Sequence, residues 1–341
     1  MDLTLPIEPV GAKPEADARN SVLAQVGAMT YARLVMNVSH RMPYPFLPEF
    51  SRGLGVPLDA IVLVLSGRSA ISIAAPLLGS LSDRFGRRPI MFLSLAIFAG
   101  AMAMVALWPS WPIFVAALLL ETVAKLLFDA ASYAYIGDHI PYARRGMVSG
   151  FFEISWSAAF LIGMPAVGWL MARRAVAAWQ APFPMLVLLG LAALVAMRLA
   201  MPRGRPAAGP GAISLATGWR SVLKDRSALA AIGVGLLISA ASENLNVVLG
   251  VWLESNFGLS LAALGLSTAV IGVAELVGEG GVIGIVDRVG KKRSITAGAL
   301  ASAAAYFSLP LIGGGLAGGL AGLFLTFVAF EFTIVATLPP A

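Results

Sequence analysis

The sequence predicts an all-α polytopic membrane protein assembled from two related halves, and three observations predict it. The first is composition: 58% of the 341 residues are hydrophobic and only 12% are charged, where a soluble domain carries about 25% charged residues. The second is grouping. The apolar residues gather into about ten runs, each long enough for a helix to cross a hydrocarbon core of about 30 Å. Backbone polar groups in that layer must bond one another, so the runs are read as helices; the weak alternation of a membrane β-barrel is missing from them. The third is a repeat. Residues 79–88 (GSLSDRFGRR) form a short basic turn between two apolar runs. A degenerate copy, residues 287–293 (DRVGKKR), occupies the same setting in the second half of the chain.

The spans follow in order. Six lie in the first half, at roughly 22–47, 58–81, 89–108, 112–136, 146–171 and 182–201, and four in the second, at roughly 228–252, 259–284, 294–313 and 316–338. Residues 1–21 form a polar N-terminal segment with no compact signal-peptide core. Residues 202–227 form the central linker. It begins with the breaker-rich stretch 202–211 and continues into residues 218–226, whose pattern fits a short amphipathic surface helix. The expected division is thus a segment 1–21, a six-helix bundle 22–201, a linker 202–227 and a four-helix bundle 228–341.

The net charge is +6 and the isoelectric point about 9.9. The basic residues sit in short inter-helix loops, where they orient a membrane protein, so nucleic-acid binding is not expected. Arg84, Arg87, Arg88, Arg144, Arg145, Arg203, Arg205, Arg220, Lys224, Arg226, Arg288, Lys291, Lys292 and Arg293 fall on one side, and only Arg52, Arg173 and Arg174 on the other. The basic side is cytoplasmic by the positive-inside rule, which puts the N-terminus and the linker inside a bacterial-type inner membrane. Trp108, Trp111, Trp179 and Trp252 fall near the opposite boundary, as an aromatic belt would. There is no cysteine, which excludes disulfides, thiolate metal sites and cysteine nucleophiles. His40 and His139 are too few for a histidine-rich metal centre, and no Walker sequence points to ATP. No cofactor or metal is expected, and a monomer is.

Gly79, Asp83, Arg84, Gly86, Arg87 and Arg88 join spans two and three. That pattern in that place resembles the loop signature of the major facilitator superfamily (MFS), a family of secondary transporters. The second-half copy (Asp287, Arg288, Gly290, Lys291) resembles it more weakly, since Ile283 stands where the leading glycine would be. The resemblance implies two six-helix bundles related by a pseudo-two-fold axis, twelve spans of which the chain holds about ten, and alternating access around a midplane site. It also implies a cytoplasmic latch in which Asp83 pairs with Arg84, Arg87, Arg144 or Arg145. Physically, Gly79 permits close helix approach and Gly86 a tight turn. In span five, Gly163, Pro165 and Gly168 resemble part of the family's antiporter signature, with Met164 and Trp169 in place of two glycines. This points towards efflux.

Ionisable residues within spans are costly in hydrocarbon and are read as functional. Span one carries Arg33, Asn37 and Arg41, four apart on one face; span two carries Arg68; span four carries Glu121, Lys125 and Asp129, again four apart. Span seven carries Glu243, Asn244 and Asn246, span eight Glu275 and Glu279, and span ten Glu331. Arg41, Glu153 and Glu279 lie nearer span ends and are read as structural. The expected activity is proton-coupled movement of a small molecule, efflux by exchange with protons. Arg33, Arg68 and Lys125 would attract an anionic group or set a carboxylate's affinity for protons, and Glu121, Asp129 or Glu243 would carry the coupling proton. The alternatives are uptake of a small anion and a non-transporting scaffold or receptor on the same fold. No nucleophile–base pair marks an enzyme.

Overall fold

In the computed structural model the described residues are 15–72, 75–201 and 226–337, and among them no strand occurs. The linker residues 202–225, with most of the surface helix expected at 218–226, residues 1–14, and the Asp287 side chain lie outside the described residues. The helices follow the expected spans. α1 is Glu15–Arg41, α2 Leu47–Leu54, α3 Leu58–Ser72, α4 Ala75–Phe85, α5 Arg87–Leu107, α6 Trp111–His139, α7 Tyr142–Ala158, α8 Met164–Ala172 and α9 Pro182–Ala200. In the second half α10 is Arg226–Phe257, α11 Leu261–Ser267, α12 Ala269–Val289, α13 Lys291–Ile312 and α14 Leu316–Thr337. Seven helical stretches are long and apolar enough to cross a membrane, or eight if the bent pair α2–α3 counts as one. α1 and α6, at 27 and 29 residues, also have the length for a crossing and carry polar groups in their middles.

The two basic turns have the same backbone. Gly86 opens α5 at φ 94°, ψ 147°, and Gly290 opens α13 at φ 90°, ψ 141°. A side chain is strained at such a φ, so glycine in both copies has a physical cause. The repeat seen in the sequence is therefore a repeat in geometry.

In the first half, α1 packs on α6, α7 and α9, α4 packs on α5 and α6, and α5 packs on α6 and α9. In the second, α14 packs on α12 and α13. The halves meet along one seam: α8 against α11, the middle of span five against α12, and α2 against α10. Span five is wound as a π-turn at Ala159–Gly163 just before Pro165, which has no N–H to give to a regular helix. Glycines then let the seam close. A methyl on Gly168 would come within 2.5 Å of the Leu261 carbonyl, and one on Gly265 within 2.5 Å of the Met164 carbonyl. Likewise a methyl on Gly250 would lie 2.5 Å from the Tyr44 carbonyl.

Trp179 departs from the expected aromatic belt. It is 2% exposed and packs edge-on against Phe50, Phe114 and Phe183, plugging the end of the first half opposite the basic turn. Trp108, at 63% exposed, keeps the surface position expected of a belt residue.

Candidate functional site

The polar groups of the spans converge on one layer, and they do so because α1 carries a polar stripe. Arg33, Asn37, His40 and Arg41 recur at helical spacing, Tyr44 follows in the turn just beyond the helix, and together they face α3, α6, span five and the second half. Arg33 donates from Nε to Asp129 at 3.1 Å and from Nη1 to Glu153 at 2.9 Å and to the Phe152 carbonyl at 3.1 Å. Its guanidinium lies 4.5 Å from the Phe152 ring centroid. Lys125 donates to the other Asp129 oxygen at 2.7 Å. Tyr133 donates its hydroxyl to Glu153. Two cations and two carboxylates thus form a chain across α1, α6 and α7.

A second group lies between α1, α3 and α6. Arg68, buried, donates from Nε to Thr122 at 3.0 Å and from Nη2 to the His40 carbonyl at 3.1 Å and Glu121 at 3.3 Å; it also meets His40 Nδ1. His40 stands 3.4 Å from Glu121. Of the two carboxylates four residues from it, Lys125 takes Asp129, and Arg68 from the neighbouring helix neutralises Glu121.

The third group crosses the seam. Arg41 donates to Glu275 at 2.9 Å, and both side chains are buried. The Arg41 guanidinium also sits 4.2 Å from the Trp156 ring centroid and 3.6 Å from that of Phe160. Tyr44 donates its hydroxyl to Glu243, and Ser157 donates to Glu279 at 3.0 Å. At the end opposite the basic turns Arg52 bonds Glu254 at 2.6 Å and Glu49 at 3.2 Å. Position along the sequence suggested that Arg41, Glu153 and Glu279 were structural end groups. Instead they lie in the same layer as the groups expected to be functional, because α1 is long and the span-eight carboxylates face its outer half. Asn37 donates to Ser155 at 3.3 Å, while the Asn246 Oδ1 is buried without a hydrogen-bond partner among the described residues. Glu331 is 6% exposed and packs on α12 at Gly278.

The basic turn after α4 holds a separate cluster. Arg87 bonds Asp83, Ser82 at 3.0 Å and Asp138 at 3.1 Å. Of the four alternatives for Asp83, Arg87 is its partner among the described residues, and Arg145 instead donates to the Ile140 carbonyl at 2.9 Å, closing the end of α6. Asp138, at that same end, supplies the second carboxylate instead. Arg84 and Arg88 lie over Phe85 and Phe92. Gly79 leaves room for Ala130 at 3.8 Å. Sequence reasoning missed His40, Tyr44, Asp138, Trp156 and the Arg52 to Glu254 pair. The stripe spacing on α1 was the available signal for the first two; the others depend on contacts between distant segments.

The sequence profile of the Major Facilitator Superfamily matches residues 29–341. The chain belongs to this family. A Bacillus subtilis (strain 168) protein, the uncharacterised MFS-type transporter YwfA, is 32% identical over 122 residues, covering 36% of this chain and 30% of that protein. The class C tetracycline resistance protein of Escherichia coli is 29% identical over 248 residues, 70% of this chain and 60% of that protein. The matched part is thus less than two thirds of the length of either relative. A crystal structure of a D-xylose–proton symporter superposes with a TM-score of 0.70 at 20% identity, covering 92% of this chain and 81% of that one. At that identity the likeness establishes the MFS fold. In this MFS chain the polar layer lies at and beside the seam between the halves, with the antiporter-like Gly163, Pro165 and Gly168 on the seam itself. Gly168 closes against Leu261 across the seam, whereas Gly163 closes against Val38 of α1 within the first half.

Proposed function

We propose that the protein is a secondary transporter that moves a small molecule by rocking two bundles, residues 22–201 and 228–341, about the seam between them. The observation that carries this reading is the buried Arg41 to Glu275 pair, which joins the halves in the middle of the spans beside polar groups too costly to keep in lipid without a task. Among the described residues, the hydrogen bonds between the halves are Arg52 to Glu254, Tyr44 to Glu243, Arg41 to Glu275 and Ser157 to Glu279. They run from the outer end to the middle, so the outer side is closed. The cytoplasmic latch is Gly79, Asp83, Arg84, Gly86, Arg87 and Arg88, with Asp138 added and with Asp287, Arg288, Gly290 and Lys291 as its weaker counterpart.

Protons are the coupling ion, carried by carboxylates of the polar layer, and the direction is efflux. The seam glycines in the antiporter-like position support that direction, as does similarity to a protein named for drug resistance. The protein sits in the inner membrane with its N-terminus inside and works as a monomer. Uptake of an anion has less support, because Arg33, Arg41, Arg68 and Lys125 each already hold a carboxylate. The test is flux in liposomes carrying a proton gradient, with cationic, neutral and anionic compounds. Gradient-dependent flux of one class is expected. A reconstituted, folded protein that moves none of them, with or without the gradient, would overturn the reading.

A further inference from the structure

The spans carry more acid than base between their ends. The basic groups there are Arg33, Arg41, Arg68 and Lys125; the acidic ones are Glu121, Asp129, Glu153, Glu243, Glu275, Glu279 and Glu331. Each basic group is within salt-bridge distance of a carboxylate: Arg33 of Asp129 and Glu153, Arg41 of Glu275, Arg68 of Glu121, and Lys125 of Asp129. Three carboxylates, all in the second half, have no basic partner among the described residues. Glu243 receives only a tyrosine hydroxyl and Glu279 only a serine hydroxyl. Glu331 receives nothing, although 94% of its surface is buried.

Glu331 also packs on α12, the helix that meets span five. Its Cβ lies 2.8 Å from where a methyl on Gly278 would sit, so it rests on α12 between the levels of Glu275 and Glu279. The charged groups that act on it are Glu275 and Glu279 from α12, and Arg41 and Glu153 from across the seam. α13, also packed on α14, has its basic residues Lys291, Lys292 and Arg293 at its cytoplasmic start, and α10 contributes Glu243. Among the described residues, the cation that acts on Glu331 is Arg41, which is already paired with Glu275. A buried carboxylate without a hydrogen bond or an ion pair is costly, and either a proton or another cation relieves that cost. On the first half, the charged groups that act on Glu331 are themselves flanked by aromatic side chains: Trp156 beside Arg41, and Tyr133 bonded to Glu153.

We propose that Glu331, with Glu279 beside it, is the binding site for an organic cation with an apolar body, and that a proton and this cation displace one another there. This inference rests on the transport reading above and names its substrate class. A cation and a proton neutralise the same charge, so each entry of one releases the other and the site stays balanced. Exchange follows without any new contact: the cation leaves on the side where protons are abundant.

The test uses two probes of one shape and opposite charge, tetraphenylphosphonium and tetraphenylborate. Binding to the full chain in detergent is read by equilibrium dialysis at about pH 8 and about pH 5.5. Saturable binding of tetraphenylphosphonium is expected at the higher pH, weakened at the lower one, with no saturable binding of tetraphenylborate. Glu331→Gln should weaken binding by about tenfold or more, as loss of one side of a buried charge pair does. Glu279→Gln should flatten the pH dependence, and Glu331→Asp should restore binding in part. Saturable tetraphenylborate binding without tetraphenylphosphonium binding would overturn the proposal. So would unchanged tetraphenylphosphonium affinity and pH dependence in both Gln variants. Dialysis separates this site from transport: cation binding without flux in liposomes keeps the site and removes the transport reading. Flux of an anion with no cation binding removes the site and keeps transport.

Discussion

Arg41 of α1 reaches across the seam to Glu275 of α12 at 2.9 Å, and neither side chain meets solvent. The pair joins two segments of low identity in kind: a stripe of basic and amide groups on span one and a stripe of carboxylates on span eight. Two charges removed from water are costly, and their attraction repays this only while both are present. The pair therefore registers the two halves against each other, and any rocking of the halves has to break or slide it.

A double-mutant cycle follows from this. Arg41→Met should destabilise the protein by about 3–5 kcal/mol, because it leaves Glu275 charged and alone in a buried place. Glu275→Leu added to it should recover most of that stability, while flux stays lost. Thermal unfolding in detergent, read beside liposome flux, checks both parts. Equal stability of the single and double variants would mean the charges are not coupled.

The pair at the outer end should behave differently. The Arg52 side chain is 55% exposed and its charge is screened by water and salt. Arg52→Ala is expected to change stability by less than about 1 kcal/mol. Its effect should instead fall on the rate of outer opening, and should fade as salt is raised. A stability loss as large as that of Arg41→Met would contradict the assignment of the two pairs to a wet rim and a dry middle.

The Arg87 cluster predicts a graded loss. Asp83 and Asp138 both bond Arg87, from the end of α4 and the end of α6. Asp83→Asn alone leaves Asp138 in place, so flux should fall only in part. Adding Asp138→Asn should bring the larger fall, with membrane insertion unchanged in both. The measurement is initial flux per inserted protein, and a full loss in Asp83→Asn alone would show that Asp138 takes no share.

The spans, the basic turns and the repeat were legible in the sequence because each is a local property. Apolar run length sets the helix, and Gly86 and Gly290 need a positive φ wherever their turns are placed. The polar layer was legible as a set of residues but not as a set of pairs. Lys125 has carboxylates four residues away on both sides, and nothing in the spacing says it will take Asp129 and leave Glu121 to Arg68. That choice is made by α3, which is distant in sequence. The same holds for Trp179: a boundary position fits a belt, and only the packing of Phe50, Phe114 and Phe183 turns it inward. The partner of Arg41 was illegible for the same reason, since it is set by what α12 presents to it.

The seam itself offers the last prediction. Met164 and Gly168 on span five face Leu261 and Gly265 on α11 with no room for a side chain: a methyl on Gly265 would come within 2.5 Å of the Met164 carbonyl. Backbone cannot yield as a flexible side-chain tip can, so Gly265→Leu must wedge the outer side open rather than be absorbed. The protein has no cysteine, which leaves it free for a single reporter. In a Tyr44→Cys background, position 44 is 6% exposed and should resist a membrane-impermeant maleimide added from outside. With Gly265→Leu added, labelling should rise several-fold while flux falls, because the closed outer state can no longer form. Unchanged labelling in the double variant would mean that the span-five and α11 glycines only pack the helices, and that the outer closure is held elsewhere.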